Sequence, residues 1–283
     1  MRVCVTGASG FLGGHLVAVL SERAFVLALD RASLSPERIE AMRPDCVIHL
    51  AALTDPGFCQ NHGPQALETN AALSERLARA AASSVTRFIY ASTDLVFDGR
   101  AGSYTEADAP APISVYGESK LAGETAVRAR LGDRALVARL PLMYGPRRLL
   151  RSRPSFAEVM IDRGLAGEPV DLFEDEYRSP LYVEDAAESL ARLAVTPPET
   201  DLIHLGGPER CSRYEMGLAA FEVMGIPRSL ARASRQADHP GAVHRPPDVS
   251  FNSGYARRLG LPGRSIREGF LSFRDRMKTP FYR

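Results

Sequence analysis

Two groups of residues in this chain have the types and spacing for chemistry on a carbonyl. The first is Tyr116-Gly117-Glu118-Ser119-Lys120, a Tyr-x-x-x-Lys pair. On a helix its two ends fall at i and i+4 and share one face. A free phenol titrates at about pH 10. A lysine one turn away favours phenolate, so the phenol can trade a proton closer to neutrality. The second group is Ser92-Thr93, at the end of an apolar run. A hydroxyl there can hydrogen-bond a substrate carbonyl and steer it towards Tyr116. A Tyr-x-x-x-Lys pair alone is common by chance as a solvated pair on a charged helix. It gains weight from what stands at the N-terminus.

Gly7-Ala8-Ser9-Gly10-Phe11-Leu12-Gly13 follows the first apolar run directly and opens a helical stretch. Glycines let the backbone turn tightly and approach a pyrophosphate, and the helix start offers free N–H groups to it. Gly7, Ser9, Gly10, Phe11, Leu12 and Gly13 are therefore expected to cradle a dinucleotide. Asp30 ends the second apolar run, where an acid would hold the adenosine ribose hydroxyls. Arg31 follows it and can meet a ribose 2′-phosphate instead. The two residues point to different cofactors, NAD(H) and NADP(H). Asn70 lies in a helical stretch between the third and fourth strands. Beside the cofactor it can hold a water for a proton relay, and it reads equally well as a solvated helix position.

These residues need a scaffold, and the chain supplies one. Val3–Thr6, Phe25–Asp30, Cys46–Leu50, Phe88–Ser92 and Ala135–Arg139 read as buried strands, separated by helical stretches that include Pro64–Ala82 and Tyr116–Arg130. Such alternation implies an α/β fold with a parallel sheet covered on both faces, a Rossmann-type doubly wound architecture. After about residue 145 the rhythm breaks into the Pro- and Arg-rich GPRRLLRSRPS. Residues 1–150 are expected to form the dinucleotide-binding domain with the catalytic residues. Residues 151–283 are expected to form a smaller C-terminal substrate lobe, partly interleaved with the main sheet.

With 45% hydrophobic and 24% charged residues the chain reads as a soluble globular protein, and its formal net charge of +1 gives no bulk attraction to nucleic acid or an anionic membrane. The start, MRVCVTGASG, enters a strand at once and has no signal-peptide apolar core. No run of about 18 apolar residues is present. Cys4, Cys46, Cys59 and Cys211 show neither paired nor metal-ligand spacing, so a reduced cytoplasmic setting and no metal are expected.

Taken together, TGASGFLGGHL, PDCVIHLAALT, YASTDLVFDG, VYGESKLAGE and ARLPLMYGP resemble an extended short-chain dehydrogenase/reductase. The STDLVFDG and YGESKLAGE pair is especially similar to the dTDP-4-dehydrorhamnose reductase family, as are YRSPLYVEDAA and HRPPDVSFNSGYARRLG. The resemblance implies roles. Thr93 would contact the substrate carbonyl, with Ser92 its neighbour. Tyr116 would donate the proton, and Lys120 would support it and touch the nicotinamide ribose. Leu50, Ala51 and Ala52 would line the cofactor. Asp94, Arg178 and Arg245 would face the substrate, with Arg178 or Arg245 meeting its phosphates. The implied reaction is NAD(P)H-dependent reduction of a nucleotide-linked 4-ketosugar.

The chain departs from that family's pattern in places. It has no tryptophan, and Leu142 stands where one is usual before the YG. The loop from STDLVFDG to YGESK is slightly short, the segment before PDCVIHL lacks the usual acidic run, and Phe251-Asn252 follow Ser250. These positions surround the sugar or adenine pocket and leave the sugar open. A 4-epimerase of the same superfamily is the neighbouring enzymatic reading, since Thr93-Asp94-Leu95 lacks the second acid of a dehydratase. A non-catalytic NAD(P)-binding regulatory subunit is the reading from another class. The expected partner is a nucleotide-sugar substrate, with a homodimer also compatible.

Overall fold

A computed structural model describes residues 1–196, 198–239 and 245–279. The first half builds a sheet one strand at a time: β1 (Arg2–Thr6), α1 (Phe11–Ser21), β2 (Phe25–Leu29), α2 (Pro36–Met42) and β3 (Cys46–His49). Then come α3 (Pro56–Asn61), α4 (Gly63–Leu67), a wide π turn (Glu68–Ala72) and α5 (Leu73–Ala81). β4 (Arg87–Thr93), α6 (Val115–Leu131) and β5 (Ala135–Leu140) complete this half. The helix expected over Pro64–Ala82 is thus interrupted by the π turn, which places Asn70 inside it.

The second half contains β6 (Met143–Tyr144), α7 (Phe156–Leu165), β7 (Val170–Phe173), β8 (Tyr177–Arg178) and β9 (Leu181–Tyr182). It continues with α8 (Val183–Val195), β10 (Leu202–His204), β11 (Cys211–Ser212), α9 (Arg213–Met224) and β12 (Ala231–Ser234). It ends with α10 (Gly254–Arg258) and α11 (Ile266–Met277).

The main sheet runs β10-β5-β4-β3-β1-β2, and all its pairings are parallel. Strand order reverses between β1 and β3, which opens a crevice beyond their carboxyl ends. Alternation along the strands serves both faces. Val3 and Val5 pack with Leu16 and Leu20 of α1 and Leu190 of α8. Cys4, Val47, Phe88 and Tyr90 face the other way, against Leu77, Ala81 and Val127. Burying each large aliphatic chain contributes roughly 1.5–3 kcal/mol.

A second core holds α7, α9 and α11 against β7 and β12 around Met160, Phe221 and Phe270. All three helices open with Ser-x-x-Glu: Ser155 and Glu158, Ser212 and Glu215, Ser265 and Glu268. Each pair forms a reciprocal capping box that satisfies otherwise orphaned N–H groups. The chain does not stay in this lobe. Midway it returns through α8, which packs on α1, and β10, which becomes the sixth strand of the main sheet. No helix among the described residues is long and apolar enough to cross a membrane.

Candidate active site

A cleft of about 930 Å³ lies at the carboxyl ends of the main strands, with the second lobe on its far side. Its floor is the glycine turn. Gly7 has φ +68, and a Cβ there would stand 2.8 Å from the Ala51 nitrogen. A Cβ on Gly13 would collide with the Gly7 carbonyl. Gly10 caps α1 without a side chain, and no acid occupies the first turn, so the helix start is open to an anion. Ser9, Phe11, Leu12, Arg31, Leu50, Ala51 and Ala52 also line the cleft. The residues present therefore fit a dinucleotide.

Asp30 and Asn70 are not among the lining residues. Asp30 closes its own turn: Oδ1 accepts from the Ser33 hydroxyl at 2.7 Å and the Ser33 N–H at 3.1 Å. Those bonds hold its carboxyl below the usual aspartate range. Asn70 is fully buried, neither solvated nor beside the cleft. Its amide clasps Leu53 through both N–H (2.8 Å) and carbonyl (3.0 Å) and donates to Ser119 of α6 at 2.9 Å. It thus sets the loop that carries Ala51 and Ala52 from behind the cleft-lining Leu53.

A directional hydrogen-bond chain supports the same loop. The Ser74 hydroxyl donates to the Asn70 carbonyl at 3.0 Å, so it accepts from His49 Nε2 at 2.9 Å. His49 Nδ1 must then accept from the Thr6 hydroxyl at 2.6 Å, and Thr6 accepts from the Ala51 N–H at 3.2 Å. Burial drives the His49 pKa down to about 3, which keeps the ring neutral.

Above this floor stand the catalytic candidates. Ser114 caps α6 by accepting from the Gly117 N–H at 3.1 Å, which fixes where Tyr116 and Lys120 emerge. Both are buried at the cleft wall, which Thr93 also lines. Thr93 also donates to Asp94 Oδ1 at 3.1 Å. Ser92 differs: its hydroxyl donates to the buried Glu124, which forms a bidentate pair with Arg139. Thr93 also accepts from the Leu95 N–H at 3.2 Å, and its carboxylate partner Asp94 lines the cleft with it.

The electrostatics depart from the sequence expectation. Burial pushes the Tyr116 phenol well above its ordinary value, and Asp94 adds to that; the Thr93 hydrogen bond works the other way. Burial also drives Lys120 down to about 7, against the opposing charge of Glu124. A lysine that sheds charge near neutrality cannot dominate the phenol next to it. Its Nζ sits 4.1 Å from the Tyr90 ring centroid. Tyr116 is accordingly held protonated, as a proton donor requires.

The far wall carries a cluster that the sequence did not disclose. Glu176 is fully buried and meets three guanidinium groups: Arg178 at 3.1 Å, Arg213 at 3.0 Å and Arg245 at 3.4 Å. Burial pushes the Glu176 pKa up, but the three cations together outweigh it and leave it below the usual range. Arg178 lines the cleft and is held by protein partners. It is 3% exposed, contacts Asp94 at 3.6 Å, and donates to the carbonyls of Tyr177 (2.6 Å) and Pro246 (3.1 Å). Arg245 is the more open partner, with 41% of its side chain exposed. Arg213, the first residue of α9, was not anticipated, although the Ser212-x-x-Glu215 box marks its helix start. Asp94 is also buried, its carboxyl pushed up to about 6 by desolvation. Leu142 lines the cleft between Pro141 and Met143.

The family model described as RmlD substrate binding domain matches residues 1–278. A dTDP-4-dehydrorhamnose reductase of Mycobacterium tuberculosis is 34% identical over 93% of this chain and 87% of its own length. The methionine adenosyltransferase 2 subunit beta of Bos taurus is 30% identical over 93% and 84%. Among solved structures, dTDP-4-dehydrorhamnose reductase from Bacillus anthracis in complex with NADP superposes with a TM-score of 0.88 at 27% identity. That match covers 97% of this chain and 99% of the other.

Proposed function

Since the chain belongs to the RmlD substrate-binding-domain family, we propose that it is an NAD(P)H-dependent reductase of a nucleotide-linked 4-ketosugar. The observation that carries this reading is the meeting of Thr93, Tyr116 and Lys120 in the same cleft as the glycine turn. Relatives named as dTDP-4-dehydrorhamnose reductases support it.

Gly7, Gly10 and Gly13 would hold the pyrophosphate of the dinucleotide at the start of α1, and Ala51 and Ala52 would flank it. The reduced nicotinamide, when bound, supplies a hydride to the carbonyl carbon. The Thr93 hydroxyl would turn its proton from Asp94 to the carbonyl oxygen and place that oxygen against Tyr116. As the oxygen gains charge, the Tyr116 phenol gives up its proton, so an alcohol forms. The phenolate left behind favours the charged form of Lys120 on the next turn of α6, and that ammonium compensates it. Arg213 and Arg245 offer fixed donors for the substrate's diphosphate, backed by Glu176.

The test is a panel of 4-ketosugar nucleotides scored by loss of the reduced-nicotinamide absorbance. Stoichiometric oxidation of the cofactor supports the reductase, whereas inertness to the ketosugars together with interconversion of C4-epimeric 4-hydroxy sugar nucleotides, without net oxidation, indicates the epimerase. The likeness to a subunit of a methionine adenosyltransferase favours a second reading, a non-catalytic subunit. Cofactor binding with no turnover on any ketosugar would select it.

A further inference from the structure

Of the chain's 35 lysines and arginines only Lys120 and Lys278 are lysine. Lys278 is exposed and pairs with Asp275 at 2.9 Å, whereas Lys120 is 3% exposed. Among the described residues no carboxylate comes within 4 Å of the Lys120 ammonium, and its side chain makes no hydrogen bond to the protein. What it meets is the face of Tyr90, with Nζ 4.1 Å from the ring centroid. The nearest acid on α6 is committed elsewhere: both oxygens of Glu124 accept from Arg139, and one of them also accepts from Ser92.

The ring itself is fixed. Tyr90 is fully buried in β4, and its hydroxyl donates to the Asn70 carbonyl in the π turn at 2.8 Å. A Cβ on Gly123 would collide with that hydroxyl and that carbonyl, so the glycine lets α6 close on the ring. An aromatic face attracts an ammonium through its quadrupole, most strongly where water is excluded. Unlike a carboxylate, it sets no full negative charge beside the Tyr116 phenol. The other ionisable groups around this wall are Glu124 and Tyr116 on α6, Arg139 on β5, Asp94 after β4, Cys59 on α3 and the neutral His49 on β3. The π turn and α5 present the uncharged Asn70 and Ser74.

We infer that Tyr90 is a positioning residue, whose ring face holds the Lys120 ammonium at the cleft wall and favours its charged form. Burial works against that form, and the ring is the counterweight. The benefit to turnover rests on the reductase reading; the contact between ring and ammonium does not.

Lysine labelled with 13C at Cε gives two NMR signals, and Lys278→Arg identifies the one from Lys120. Titration of wild type, Tyr90→Phe, Tyr90→Leu and protein carrying 4-fluorophenylalanine at position 90 tests the inference without substrate or cofactor. The protons on Cε of Lys120 are expected upfield of those of Lys278, displaced by the ring current. Tyr90→Phe should keep this displacement and the titration midpoint. Tyr90→Leu should abolish the displacement and lower the midpoint by about one pH unit. Fluorophenylalanine withdraws charge from the face with little change of shape, so its midpoint should fall between the two. It also decides the matter if Tyr90→Leu does not fold. A midpoint indifferent to the fluorine and to the loss of the ring would overturn the inference, as would the absence of a ring-current displacement in wild type. On a ketosugar nucleotide, Tyr90→Leu should lower kcat more than it changes KM and move the alkaline limb of kcat to lower pH. A wild type that titrates as expected but reduces nothing would sink the reductase reading and leave the hold of Tyr90 on Lys120 standing.

Discussion

Ser92 and Thr93, neighbours at one strand end, give their hydroxyl protons to different carboxylates, Glu124 and Asp94. Glu124 is buried and paired with Arg139, whereas Asp94 and Thr93 line the cleft with Tyr116. Substitutions at the neighbours should therefore separate in turnover. Thr93→Ala is expected to lower kcat on a ketosugar nucleotide about 100-fold, with about 0.5–2 kcal/mol of stability lost because its hydroxyl also caps the Leu95 N–H. Ser92→Ala should instead cost about 1.5–3 kcal/mol in urea unfolding, since it removes a hydrogen bond to a buried carboxylate. Equal kinetic damage from both would show that Ser92 also serves the substrate.

Tyr116→Phe is expected to reduce turnover by about 10²–10⁴-fold while keeping dinucleotide affinity. The hydroxyl is the proposed donor, whereas the pyrophosphate cradle is made of Gly7, Gly10 and Gly13. Turnover near that of wild type would remove Tyr116 from the mechanism.

The arginines around Glu176 should split by burial. Arg245→Ala and Arg213→Ala are expected to weaken UDP, dTDP or GDP binding about tenfold. Arg178→Ala should chiefly destabilise the fold, by about 3–5 kcal/mol, because it strands the buried Glu176 and Asp94. If no nucleoside diphosphate binds even at millimolar concentration, the nucleotide-sugar reading fails.

His49 predicts an acid sensitivity. Its folded pKa is lowered from 6.5 to about 3, so the unfolded chain takes up a proton that the folded protein refuses. That contribution to stability is complete above the unfolded value and is lost as pH falls from about 6.5 towards 3. His49→Gln should be less stable at pH 7 but lose less of its remaining stability over that window. Parallel curves for the two proteins, measured by urea unfolding across pH, would show that His49 is not what titrates.

What the sequence disclosed was local. A strand followed by glycines and a helix start, and a Tyr and a Lys one helical turn apart, are patterns within a few residues, and the fold preserves them. The missing parts are products of distance. Glu176 and Arg213 meet only because β8 pairs with β11, and nothing in either segment announces the other. Asn70 read as solvated or as a water holder because its helical context is polar. Its burial follows from the π turn and from Ser119 on another helix. The expected lowering of the Tyr116 pKa by Lys120 was sound for a solvated pair. It does not describe a pair buried so deeply that the lysine itself gives up charge.

The return of the chain through α8 and β10 has a mechanical consequence. A break between β6 and α7 would not release a self-sufficient sheet, because the second half of the chain covers one face of α1 and supplies the strand beside β5. A fragment of residues 1–150 would present Leu16, Leu20, Leu136 and Ala138 to water and should be recovered as aggregate. A protease nick in the Arg-rich segment between β6 and α7 should instead leave two pieces that co-migrate until denatured. The cleft therefore sits in a molecule laced together by two crossings of the chain.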